Sequence, residues 1–72
     1  MRVRDVLLKV DNIDMPVVAQ SLSGCSYYWD RIQDLVNDKY SYIKDCASVL
    51  TYVQKDIFGN DHLFVIFDVN EV

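Results

Sequence analysis

Seventy-two residues make one domain, spanning positions 1–72, and leave no room for a second. A net charge of −4 argues against nonspecific binding to nucleic acid or to an anionic membrane. The two cysteines, Cys25 and Cys46, have no CxxC spacing, and neither a signal peptide nor an apolar run of transmembrane length occurs, so the expectation is a cytoplasmic protein with reduced thiols.

A chain of this size buries only about 60% of its extended surface, about 4,600 Å² remaining exposed after folding. Set against 51% hydrophobic residues, that thin core favours further burial by association, as a homodimer, with a protein partner, or both. Charge is unevenly spread. Arg2, Arg4 and Lys9 outnumber Asp5 in the first nine residues, and the remainder carries the acidic excess. All the acids but Glu71 are aspartates, which favour caps and turns over helix interiors and suit a fold of short elements.

In chain order, Val3, Val6, Leu7 and Val10 fall at i, i+3, i+4 and i+7 and predict a short amphipathic helix ended by Asp11-Asn12. The three valines keep a first strand open as the alternative reading. Residues 15–22 alternate, with Pro16 near the start where a missing ladder donor is tolerated, and predict an edge strand. A turn at Ser23-Gly24 returns the chain as a short strand through Cys25-Ser26-Tyr27-Tyr28-Trp29. From Asp30 as N-cap, Ile32, Leu35 and Val36, then Lys39 or Tyr40, follow helical spacing, weakened at Asn37-Asp38. Residues 41–46 read as an irregular or 3₁₀ turn.

The chain closes on a hairpin. Residues 48–55 are rich in β-branched, aromatic and aliphatic types, residues 62–69 follow, and Gly59-Asn60 in the connection supply the tolerance of positive φ that a turn needs. Leu63-Phe64-Val65-Ile66-Phe67 is apolar at every position, so Leu63, Val65, Phe67 and Val69 point one way, and Phe64 and Ile66 the other. Both faces need cover. The fold class is therefore α+β: a small four-stranded, mostly antiparallel sheet with two short helices on one face, in the order α-β-β-α-β-β. Helices on one face leave Phe64 and Ile66 without a partner layer. Strand order decides the consequence, because a central hairpin calls for a partner over the sheet, whereas an edge hairpin opens association by strand pairing.

Catalytic chemistry has little to stand on. His62 after Asp61 could be combined with either cysteine into a Cys-His-Asp set, but a single histidine without a glycine-rich oxyanion loop reads better as a solvated turn residue. Asp56, Asn60 and Asp61 resemble a calcium loop in composition only, since the DxDxDG order is absent. Two distant glycines make no phosphate cradle. The expectation is no enzyme, no cofactor and no metal.

The aromatic set Tyr27, Tyr28, Trp29, Tyr40, Tyr42 and Tyr52 is the stronger signal, because Tyr and Trp dominate binding hot spots, although the same rings could serve only to cap a thin core. In a strand, at least one ring of Tyr27-Tyr28-Trp29 must leave the core. Tyr28 and Trp29, with Phe64 and Ile66, are the candidate anchors of a partner-binding patch. Asp30, Asp34 and Asp38, at i, i+4 and i+8, would align three carboxylates about 6 Å apart on a helix. Such a row could imitate a phosphate backbone or simply form a solvated face beside Arg31 and Lys39.

The opening Val3-Arg4-Asp5-Val6-Leu7, the Met15-Pro16-Val17-Val18 strand and the closing Leu63-Phe64-Val65-Ile66-Phe67 together resemble, in pattern, a group of short proteins encoded by phages and mobile elements. Tyr27-Tyr28-Trp29 does not match that pattern. The resemblance implies a small non-enzymatic α+β accessory factor, or an inhibitor of a host defence system, and it transfers no site residue; the aspartate row would add a nucleic-acid-binding protein as the target.

Overall fold

A computed structural model describes residues 1–39 and 41–69. The elements run α1 (Val3–Leu8), β1 (Val17–Ser21), β2 (Ser26–Trp29), α2 (Ile32–Val36), a single 3₁₀ turn (Tyr42–Asp45), β3 (Ala47–Lys55) and β4 (Asp61–Asp68). The class expected from the sequence is found: four strands in one sheet, with two short helices. The first segment is a helix, not a strand. The sheet order is β2-β1-β4-β3, antiparallel at β1–β2 and β3–β4 and parallel at β1–β4.

That order corrects one expectation. β1 is an interior strand, and the sheet's edges are β2 and β3. Pro16 is compatible with this because it lies just before β1, where its missing N–H costs nothing, while its carbonyl still accepts the Leu63 N–H at 2.8 Å.

The core lies on one side of the sheet. Val17 and Ala19 of β1 and Leu63, Val65 and Phe67 of β4 are buried there against Val3 and Leu7 of α1, Ile32 and Leu35 of α2, Ile43 of the 3₁₀ turn, Met15 and Cys46. The accessible surface of 4731 Å² is close to the size-scaling value.

α2 is shorter than its periodicity suggests and starts differently. Its N-cap is Arg31, with no side-chain capping bond. The helix needs none, because the Met15 carbonyl takes the Ile32 N–H at 2.8 Å and the Ile13 carbonyl takes the Gln33 N–H at 3.0 Å. Two donors that Asp30 would have served are satisfied by the loop before β1. At the far end Asn37 caps, and Lys44 Nζ donates to the Val36 carbonyl at 3.0 Å. An exposed Arg4–Asp45 ion pair links α1 to the 3₁₀ turn, a contact of the kind that contributes about 1 kcal/mol or less.

Both hairpin turns are stiffened by side chains. In the β1–β2 turn Ser21 Oγ accepts the Cys25 N–H at 3.1 Å and pairs with Ser23 Oγ at 2.7 Å, while Gly24 takes φ 97°. In the β3–β4 turn Asp56 Oδ1 accepts the N–H groups of Phe58 (2.8 Å) and Asn60 (2.9 Å), and Gly59 takes φ 82°.

Candidate interaction surface

Alternation along the strands determines what the other side of the sheet carries. Since Leu63, Val65 and Phe67 face the helices, His62, Phe64 and Ile66 face away from them. Directly opposed residues share a face, so the pairings Val18–Tyr28, Val18–Phe64 and Tyr52–Phe64 put Tyr28, Val18, Phe64 and Tyr52 in one row across all four strands. The next row is Ser26, Gln20, Ile66 and Leu50. Neither row contains a charged side chain, and among the described residues no helix packs over them.

Three inter-strand gaps make each row about 15 Å long. Tyr28 is 61% exposed, Leu50 52% and Tyr52 40%, whereas Phe64 and Ile66 are half-buried by their neighbours. The Tyr52 ring stacks on Phe64 with centroids 5.1 Å apart and planes at 19°. The result is an apolar patch on the order of a few hundred Å², the size at which surface patches are often functional.

The sequence-derived candidates divide between the two faces. Tyr28, Phe64 and Ile66 share the open face. Trp29 does not join them: opposed to Val17, it turns to the helix side and packs half-buried against the core. Tyr27, opposed to Ala19, lies beside it, 6.5 Å from Trp29 and 6.3 Å from Phe67. Of the three consecutive aromatic residues only the middle one reaches the open face. Tyr40 lies outside the described residues.

The aspartate row also differs from expectation. Only Asp34 lies within α2, where it pairs with Arg31 at 3.2 Å; Asp30 precedes the helix and Asp38 follows it. A helix of five residues cannot hold an i, i+4, i+8 stripe, so the three carboxylates do not form the aligned row that imitation of a phosphate backbone requires.

The alternative chemical sets are not assembled. His62 is the second residue of β4 and lies on the open face, Cys25 lies in the β1–β2 turn at the opposite end of the sheet, and Cys46 is buried on the helix side. Burial, with Asp45 and Asp68 adding to it, pushes the Cys46 thiol above its ordinary value, the wrong direction for a nucleophile. Asp56 is held below the usual carboxylate range, chiefly by the Asn60 N–H, and its acceptor oxygen is committed to the turn. Asp61 pairs with Lys55 at 2.9 Å, which raises the ammonium's pKa. No group of three or more His, Cys, Asp or Glu side chains among the described residues is arranged to hold a metal ion. A shallow depression of about 200 Å³ between the helices, lined by Arg4, Leu7, Leu8, Val36 and Lys44, is smaller than the usual ligand pocket.

Two features escaped sequence reasoning. Val18 and Leu50 join Tyr52, a member of the aromatic set, in the open-face rows, which become visible only once register is known. Ile57 and Phe58, 93% and 81% exposed, form an apolar tip on the β3–β4 turn. Two large apolar residues between the turn-forming Asp56 and Gly59 were the available signal, since turns are ordinarily polar. No described helix is long and apolar enough to cross a membrane. Compared with protein-family models, curated proteins and solved structures, the chain matches none.

Proposed function

We propose that this protein is a small non-enzymatic interaction module that covers an apolar area on another protein with the open face of its sheet. The observation that carries the reading is the uncharged row of Tyr28, Val18, Phe64 and Tyr52, with Ile66 and Leu50 beside it and no described helix above. Aromatic side chains on a rigid sheet supply contact area at little entropic cost. Ile57 and Phe58, on a turn already ordered by Asp56, offer a second anchor at the sheet's edge.

The absence of Lys and Arg from both rows disfavours single-stranded nucleic acid as the occupant, because stacking platforms for it are combined with cationic grooves. The net charge of −4 favours a partner whose apolar centre has a basic rim, such as a nucleic-acid-binding protein, and the finer reading is an accessory factor or inhibitor acting on one. Free Cys25 and Cys46 suit a reducing, cytoplasmic setting.

Affinity capture with immobilised protein tests the reading. Wild type and Leu8→Ser, which alters an exposed apolar residue of α1, should retain the same stoichiometric partner; Tyr28→Ser combined with Phe64→Ser should lose it. Retention by the open-face variant would refute this assignment of the surface. The second reading, a structural homodimer, is favoured by a separate feature, the β3 edge.

A further inference from the structure

The two edges of the sheet are unequal. β2 has four residues, whereas β3 has nine. Natural edges are blunted by brevity, proline, inward charge or a bulge. β3 has a register irregularity between Ser48 and Leu50, but beyond it the strand has no proline, and its only charge is the terminal Lys55.

Backbone hydrogen bonds identify which groups of β3 face outward. The Leu63 N–H donates to Pro16 on the β1 side, so Val53, opposed to Leu63, turns its own N–H and C=O to the free edge. By alternation Thr51 does the same. Ser48 also faces outward, and its N–H is already taken by the Met1 carbonyl at 2.8 Å, with Arg2 bridging Ala47. Among the described residues that bridge is the only pairing on this edge. The open stretch is therefore residues 49–55, closed at one end by the N-terminal segment and at the other by the Asp56–Asn60 turn.

We infer that this stretch pairs with its own copy, antiparallel about a two-fold axis at Tyr52, joining two chains into one eight-stranded sheet. The occupant follows from self-complementarity. Residue 52 is the midpoint of 49–55, so this register uses the whole free stretch of both chains. It sets Thr51 against Val53 of the second copy, and these are the residues whose N–H and C=O face outward, so each such pair exchanges both bonds. Tyr52 meets Tyr52 at the axis. Leu50 meets Gln54, and Lys55 meets Val49, so no like charges are opposed.

Neighbouring registers do worse. Centring on Thr51 drives Lys55 of the second copy onto Ala47, where Arg2 already sits; centring on Val53 leaves Val49 opposite the turn residue Ile57. The chosen register also has a consequence for the open face. The Tyr28–Val18–Phe64–Tyr52 row meets its symmetry mate end to end, doubling to one uncharged aromatic row across both chains. The pairing does not rest on what binds that face, and the two readings fail separately.

Sedimentation equilibrium on the full chain tests it. Wild type at tens of micromolar should run at twice the chain mass of 8.4 kDa. Val53→Pro removes an outward N–H that the chain's own sheet does not use, and it should weaken the dimer at least tenfold while leaving the circular dichroism unchanged. The register is read by cross-linking in a Cys25→Ser background. Tyr52→Cys brings two thiols together at the axis, where Cα atoms of a non-hydrogen-bonded pair lie about 4.5 Å apart, and should give a disulfide dimer on mild oxidation; Leu50→Cys, facing Gln54, should not. A monomeric wild type, a dimer indifferent to Val53→Pro, or equal cross-linking by the two cysteine variants would each overturn the inference. If Val53→Pro fails to fold, the cysteine pair decides alone. Tyr28→Ser should leave the dimer intact, which separates this result from failure of the face-binding reading.

Discussion

Phe64 and Phe67 have the same side chain on the same strand, three residues apart, and the assignment of the open face requires them to behave differently. Phe67 is fully buried in the core, beside Tyr27. Its truncation to Ala removes a complete aromatic side chain and leaves a cavity, a change that costs about 3–5 kcal/mol. Phe64 is half-buried on the uncovered face, and its ring stacks on Tyr52 with centroids 5.1 Å apart. Losing partial burial and that stack should cost about 1–1.5 kcal/mol. A domain of this length has about 4–11 kcal/mol in total. Phe67→Ala should therefore lower Tm by roughly 12 °C or more, or leave the chain unfolded, while Phe64→Ala should lower it by about 4–12 °C. Thermal melts give the Tm shifts and urea titrations the free energies, both followed by circular dichroism and by fluorescence of the single Trp29, at one fixed protein concentration so that association does not enter the comparison. Equal losses, or a larger loss at Phe64, would show that the second face is covered within the chain and would refute the site.

Two further outcomes are expected. The cysteines should separate in reactivity: Cys25, exposed in its turn, should be modified rapidly by a thiol reagent, while Cys46, buried and with its thiol pKa raised, should react only after denaturation, giving one equivalent in the native state and two in urea. Asp56, held below the usual carboxylate range by the backbone donors of its turn, contributes stability that is present above the ordinary carboxylate pKa and is lost as pH falls through the lowered one. An NMR titration should therefore place Asp56 below the ordinary aspartate range, and Asp56→Ala should lessen the acid sensitivity of the hairpin. A normal titration would remove the assigned turn geometry.

The legibility of this chain follows the range of the forces involved. Val3 and Leu7 fall on one stripe of α1 because helical periodicity is local, and Leu63, Val65 and Phe67 share a face because strand alternation is local. The β1–β2 turn at Ser23-Gly24 and the β3–β4 turn at Gly59 were readable for a similar reason, since positive φ is a property of one residue and its neighbours. α2 was misjudged at its start because its cap is not local. Carbonyls of Ile13 and Met15, nearly twenty residues upstream of the helix, stand in for the side chain that Asp30 was expected to supply. With the helix beginning at Ile32 and ending at Val36, the aspartate row had no scaffold.

The candidate surface was half visible. That Phe64 and Ile66 would lack cover follows from an unbroken apolar strand with helices on one side only, and that one of Tyr27, Tyr28 and Trp29 must leave the core follows from alternation. Which ring leaves depends on register: Val18 opposes Tyr28, and the register itself follows from the turn that closes β1 on β2. Sequence alone thus determined the order of the elements, the kind of each after the first, and the surplus of apolar surface. Only the tertiary structure decided that β1 runs parallel to β4 in the sheet interior, that Trp29 belongs to the core, and that β3 is left as an open edge. Strand order is set by pairing between segments more than forty residues apart, such as Val17 with Leu63, and no local pattern encodes a contact whose energy depends on both partners at once.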